Sequence, residues 1–261
     1  MNTSFFPVIF AGAGPGDPDL ITVKAMKALA SADIIIYAGS LVPEAVLCWK
    51  GPRTRTISSA GLTLVQIIDT IRTNYRAGKR VVRLHTGDPS LYGAIFEQIR
   101  ELEKENIAFT VIPGVTAAFA AAAAMHMEYT LPEIAQTLIL TRISGRTPVP
   151  DAENLEKLAA HQASMAIYLS IGHTTKVQKI LQTHYGENAG CAIAYKVSHP
   201  EERIIPCRIK ELDQTCRENN ITRHALIIVG KAVEACMKHQ DQIVSKLYDS
   251  GFSHGYRTSD R

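Results

Sequence analysis

Three short stretches carry residue types suited to holding a small ligand. The first is Gly12-Ala-Gly-Pro-Gly-Asp-Pro18, the second His85-Thr-Gly-Asp-Pro-Ser-Leu-Tyr-Gly93, and the third Pro113-Gly-Val-Thr116. Each follows a short apolar run. Glycines at such points let the backbone approach a ligand or another loop closely. Ligands of parallel sheets sit beyond the carboxyl ends of the strands, so loops at those ends can share one pocket. A dinucleotide fingerprint does not fit. The glycines fall at 12, 14 and 16, Pro15 and Pro18 stand where the turn would enter its helix, and the second apolar run ends in Tyr37-Ala-Gly-Ser40 without an acid. A P-loop is excluded because no GxxxxGK[ST] string occurs. Cys236 with His239 offers two ligands where zinc needs three or four. No metal site is expected, and no nucleophile-and-base set stands out.

The elements that must position these loops alternate. Apolar strands are expected at Val8–Ala11, Ile34–Tyr37, Arg80–Leu84 and Phe109–Ile112, with helices at Leu20–Ala30, Leu64–Arg76 and Leu91–Lys104 between them. Strand character resumes at Thr137–Thr141, Met165–Leu169, Cys191–Tyr195, Arg203–Cys207 and Ala225–Val229. Short continuous apolar strands separated by helices predict mostly parallel sheets covered on both faces. The close succession of Cys191–Tyr195 and Arg203–Cys207 predicts an antiparallel pair there. The fold class is α/β, in two α/β domains, 1–112 and 113–261, with a cleft between them as the natural place for a ligand. The tail Asp249–Arg261 is polar and reads as a flexible end.

Composition narrows the function classes. At 46% hydrophobic and 20% charged, the 261 residues can bury a core without staples. The net charge of +3 with no basic stripe argues against a nucleic-acid partner. Five scattered cysteines, odd in number and without a CxxC pair, point to a reducing, cytoplasmic compartment. Met1–Pro7 has no basic leader region. Val115–Met125 is about half the ~20 residues a membrane span needs and is mostly alanine, so it reads as a closely packed buried helix.

Together, GAGPGDPDLITVKAMKAL (12–29), RLHTGDPSLYGA (83–94) and VIPGVTAAFAAAAA (111–124) resemble the tetrapyrrole methylase family. QTLILTRISGRTPVP (136–150), ALIIVG (225–230) and SKLYDSGFSHGYR (245–257) are similar to its branch acting on the fourth precorrin stage. The resemblance covers nearly the whole chain. It implies a homodimer, S-adenosylmethionine as cofactor in the cleft between domains, and methylation of ring carbon 11 of a cobalamin-pathway macrocycle. By motif match it implies cofactor contacts at Pro15, Thr86, Gly87, Asp88, Leu91, Thr116, Ala117, Leu169, Tyr195, Ala225 and Leu226. Substrate contacts are expected at Asp17, Ser40, His85, Arg142, Arg146 and Lys196, with Arg203 and His199 as further candidates for its carboxylates. The blocks favour a cobalt-loaded ring over a metal-free one. A module that senses the cofactor without turning it over is the rival from another class.

Overall fold

A computed structural model describes residues 6–39, 41–237 and 245–258. The chain divides into two compact units. One is Met1–Ala120 with Ser198–Pro200, and the other is Ala121–Val197 with Glu201–Arg261. The division falls inside helix α4 (Ala117–Ala124), whereas the sequence pointed to the Pro113-Gly114 turn. That turn stays with the first unit because it packs on that unit's loops.

In the first unit, β1 (Val8–Gly12), β2 (Ile34–Tyr37), β3 (Arg55–Ser58), β4 (Val81–His85) and β5 (Phe109–Ile112) form an all-parallel sheet in the order β3-β2-β4-β1-β5. The period-2 alternation of each strand splits the apolar side chains between two layers. Ile35, Val82, Leu84 and Ala11 face α1 (Val23–Ser31), which buries Ala25, Ala28 and Leu29. Phe10, Ile34, Ile36 and Val81 face α2 (Leu64–Arg76) and α3 (Phe96–Lys104) through Ile67, Ile68, Ile71 and Leu102. Thr63 starts α2 with a full capping box to Gln66, satisfying two end amides.

Two expectations need correction. β3 was not anticipated: it is the sheet's edge, and Ile57 is its only aliphatic residue, so it lacks an apolar run. The helix expected from Leu91 begins only at Phe96. Tyr92 and Ala94 hold left-handed backbone, at φ 55° and 48°, which a helix cannot contain.

The second unit has β6 (Leu138–Arg142), β7 (Ser164–Tyr168), β8 (Gly190–Tyr195), β9 (Arg203–Arg208) and β10 (Ala225–Val229), in the order β6-β7-β10-β8-β9. β6 and β7 are parallel. β10 runs antiparallel to both neighbours, as does β9 to β8. The expected β8–β9 pair is present, but the sheet is mixed rather than mostly parallel. Pro206, which cannot donate, sits on the edge strand β9, where that costs least. One face buries Met165, Ile167, Ile193, Ile227 and Val229 under α5 (Leu155–Ala159), α6 (Thr174–Tyr185) and α7 (Leu212–Glu218). The other presents the small residues Ala166, Ala192 and Ala194, and α8 (Lys231–Met237) packs against these strands.

Among the described residues no helix is long and apolar enough to cross a membrane. Of the tail, 249–258 carries its own hydrogen bonds: the Arg257 guanidinium donates to the carbonyl of Asp249 at 2.6 Å. Residues 259–261 lie outside the described residues.

Candidate functional site

The adjacent strands β1 and β4 send their connections to opposite faces of the first sheet, β1 to α1 and β4 to α3. A crevice opens beyond the carboxyl ends at such a switch point. The two glycine loops meet there. Gly87 N–H donates to the Gly14 carbonyl at 2.8 Å, and Ala13 N–H donates to the His85 carbonyl at 2.7 Å. The third loop, after β5, closes on them. A Cβ on Gly12 would lie 2.5 Å from the Gly87 oxygen and 2.7 Å from the Gly114 Cα, so only glycines allow this packing. Thr116, buried, then starts α4, its carbonyl accepting from Phe119 N–H at 3.1 Å.

Asp88 ties the loops together. One carboxylate oxygen accepts from Ser90 N–H at 2.8 Å, and the other accepts from Gly114 N–H at 2.9 Å. Both oxygens are thus engaged by backbone, one within the Asp-Pro turn and one on the third loop. Asp17 caps a short turn by accepting from Asp19 N–H at 2.9 Å, and its own N–H donates to Ser198 Oγ at 3.0 Å. Pro15 is buried, while Thr86, Gly87 and Leu91 are half-buried in the second loop. Ser40 lies outside the described residues.

His85, expected among the substrate contacts, is placed differently. It is 3% exposed, stacked on Phe10, and hydrogen-bonded to the Gly93 backbone beneath the loop. Its Nε2 has no hydrogen-bond partner among the described residues. Burial, and then the charge of Arg83, push its pKa down to about 3. A buried neutral imidazole cannot meet a carboxylate as a cation, so its part here is to hold the loop. Sequence reasoning missed two companions. Arg83 is buried in mid-strand, its pKa lowered by burial to about 10; it donates to Gln98 Oε1 and to the Ile36 carbonyl, both at 3.2 Å. Gln98 in turn donates to the Ala94 carbonyl at 2.8 Å, fixing the loop's far end. The signal was a charged residue inside an apolar strand, Val81-Val-Arg-Leu84.

In the second unit, residues far apart in sequence collect at one edge of the sheet. β6 and β7 end there, at Arg142 opposite Tyr168, with Leu169 next. β10 begins there with Ala225 and Leu226, and Ala225 pairs with Tyr195 at the end of β8, which pairs with Arg203. Leu169 is 65% exposed and held in left-handed backbone at φ 51°. A large apolar residue in that conformation costs roughly 1–2 kcal/mol. Such strain accumulates at ligand-handling positions. Arg203 lies over the Tyr195 ring, 4.9 Å from its centroid. The Lys196 ammonium pairs with Glu201 at 2.9 Å. Arg142 donates to the carbonyls of Ile143, Thr147 and Pro148, so its guanidinium holds the 143–148 loop. Arg146 is exposed on that loop. As carboxylate receptors, Lys196 and Arg142 must exchange these partners.

Among the described residues no group of three or more His, Cys, Asp or Glu could hold a metal ion. The chemistry on offer is binding and orientation by backbone amides, carbonyls and apolar side chains. Comparisons with known proteins match this character. The family profile described as Tetrapyrrole (Corrin/Porphyrin) Methylases matches residues 7–213. A cobalt-precorrin-4 C(11)-methyltransferase of Methanocaldococcus jannaschii is 46% identical, covering 97% of this chain and 96% of the relative. One from Priestia megaterium is 44% identical over 94% and 95%, and a precorrin-4 C(11)-methyltransferase of Pseudomonas aeruginosa 42% over 96% and 98%. Among solved structures, a cobalt precorrin-4 methyltransferase described as a cobalamin biosynthetic enzyme superposes with TM-score 0.86 at 43% identity, covering 89% of this chain and 98% of its own. A uroporphyrin-III C-methyltransferase of Thermus thermophilus complexed with S-adenosyl homocysteine reaches 0.71 at 25% identity, covering 88% and 94%.

Proposed function

This chain belongs to the tetrapyrrole (corrin/porphyrin) methylases, and from that premise we propose that it transfers a methyl group from S-adenosylmethionine to ring carbon 11 of cobalt-precorrin-4 in cobalamin biosynthesis. The observation that carries the reading is near-full-length identity of 44–46% to enzymes bearing that name. The protein works as a cytoplasmic homodimer, and cobalt arrives within the substrate.

The residues suit the cofactor. Glycine backbone, Pro15, Thr86 and Leu91 gather on the loops at the switch point of the first unit, with both Asp88 carboxylate oxygens held by backbone amides and His85 uncharged beneath them. Pro15, Thr86, Gly87, Asp88, Leu91, Thr116 and Ala117 hold the cofactor on this unit. Leu169, Tyr195, Ala225 and Leu226 hold it on the second, where the strained, exposed Leu169 offers an apolar surface. S-Adenosylmethionine supplies a methyl carbon already activated by its sulfonium sulfur. The chain's residues therefore orient two reactants, a contribution of roughly 7–11 kcal/mol in favourable cases. A site of loops and apolar walls, with no nucleophile beside a base, is what this task needs. Asp17, Ser40, Arg142, Arg146 and Lys196 serve the substrate. Arginines suit its carboxylates because their planar fork binds two oxygens at once.

A paired anaerobic assay with labelled cofactor and either cobalt-loaded or metal-free precorrin-4 tests the reading, with product mass and methyl position determined. Label on carbon 11, with preference for the cobalt-loaded ring, is the expected result. Preference for the metal-free ring reverses the substrate choice. Cofactor binding without label on any macrocycle replaces the enzyme with a sensor.

A further inference from the structure

The first unit is not completed by the first part of the chain. Its last piece is Ser198–Pro200, which comes from the connection between β8 and β9. Two contacts seat this piece on the first glycine loop. Asp17 N–H donates to Ser198 Oγ at 3.0 Å. The His199 ring lies against Gly16: a Cβ there would sit 2.7 Å from Nε2 and closer still to Cδ2. Gly16 is buried, and it stands between Pro15 and Asp17. The backbone leading to the contact is shaped for it. Lys196 and Ser198 both hold left-handed conformations, at φ 44° and 62°, and Val197 between them is buried. Lys196 N–H is fixed by the His224 carbonyl at 2.8 Å. Residues in such sparsely populated conformations persist where the surroundings over-determine them.

We infer that Ser198 and His199 form a clasp that positions the Gly12–Pro18 loop for the cofactor, so that His199 acts as a positioning residue rather than as a substrate cation. The inference rests on the proposed S-adenosylmethionine reading for its functional half. The physical basis is local. A loop of three glycines and two prolines has little side-chain packing of its own, and glycine loses more conformational freedom on ordering than any other residue. One hydrogen bond from the Asp17 amide to the Ser198 hydroxyl and one ring contact limit that freedom beside Pro15. Preorganisation of this kind shows in ligand affinity, because the loop no longer has to be ordered on binding.

The test uses the full-length protein and S-adenosylhomocysteine as probe, with calorimetric affinity, cofactor KM and kcat, and melting temperature measured together. Ser198→Ala removes one neutral hydrogen bond and should weaken binding about fivefold. Gly16→Ala drives a methyl into the His199 ring and should weaken it by more than about tenfold, mainly through KM. His199→Ala makes room for that methyl. The double variant Gly16→Ala/His199→Ala should therefore return to within about threefold of His199→Ala alone, a rescue that independent structural damage does not give. Exchange of the Asp17 amide proton should speed up in Ser198→Ala with no ligand present. Wild-type affinity in Ser198→Ala, or no relief of Gly16→Ala by the second change, overturns the clasp. Failure of the wild type to bind the probe overturns the cofactor reading instead, and the Asp17 amide then still decides whether the clasp exists.

Discussion

Gly114→Ala puts the meeting of the three loops under direct strain. A methyl at this position overlaps the Gly87 carbonyl oxygen and comes within 2.9 Å of the Gly12 Cα, where ordinary contact begins at 3.4 Å. Both obstacles are backbone, so no side-chain rotation relieves them, and the loops must part. Overpacking of this kind costs about 1–3 kcal/mol. Parting also stretches the 2.9 Å bond from Gly114 N–H to the Asp88 carboxylate, a charged hydrogen bond worth about 1.5–3 kcal/mol. The sum, about 4 kcal/mol, corresponds to a fall of roughly 15 °C in the melting transition of a unit of this size. Gly61→Ala is the control, since a Cβ there meets open space, and it should change stability by less than about 1 kcal/mol. Scanning calorimetry with and without S-adenosylhomocysteine measures both effects. If Gly114→Ala melts within about 1 kcal/mol of Gly61→Ala and binds normally, the glycine contact does not hold the loops and the packing argument fails.

Three further outcomes follow from neighbouring residues. Asp88→Ala should lose stability and cofactor affinity together, by about 2–3 kcal/mol in unfolding free energy, because both carboxylate oxygens are bonded to backbone; Asp88→Asn should lose less than half of that, and denaturant melts beside a binding assay separate the two. For His85, the unfolded imidazole takes up its proton near pH 6.5 and the folded one only near 3, so the unfolded state binds more protons in that window and stability drops as pH falls through it. His85→Gln lacks this penalty, so its melting temperature relative to wild type should rise steadily from pH 7 to pH 5, and a constant difference contradicts the assignment. Leu169→Gly should keep or gain up to about 1 kcal/mol of stability by relieving left-handed strain, yet bind S-adenosylhomocysteine several-fold more weakly; a clear loss of stability would show that Leu169 is held for packing.

The sequence was legible where physics is local. Short runs rich in β-branched residues, such as Ile34–Tyr37 and Val81–Leu84, read as strands by length and composition, and glycine loops after β1, β4 and β5 fall at carboxyl ends by simple alternation. It was illegible where partners are distant or burial is slight. β3 hides because Arg55-Thr-Ile-Ser58 has one aliphatic residue and an exposed edge to match. The start of α3 was misplaced because the apolar spacing of Leu91, Ile95 and Ile99 says nothing of left-handed residues between them. The edge gathering Arg142, Leu169, Tyr195 and Ala225 has no signature in spacing, since β10 inserts between β7 and β8. Family resemblance supplied those positions. Arg83, Gln98 and Ser198 were beyond both, because their roles are set by what they bond to across the fold.

The late origin of Ser198–Pro200 has a consequence for how the protein is made. On the ribosome, β1 to β5 and their helices emerge long before this segment. At roughly 5–20 residues per second, several seconds separate the end of the first unit's main body from its final piece. The first sheet can close in that interval, but the Gly12–Pro18 loop waits. It acquires its last contacts only when β8 has been synthesised and the turn beyond it has left the exit tunnel. The nascent chain therefore passes through a stage with a finished parallel sheet and a Gly12–Pro18 loop still without its Ser198 and His199 contacts, and a fragment ending near Ala120 would be arrested at that stage.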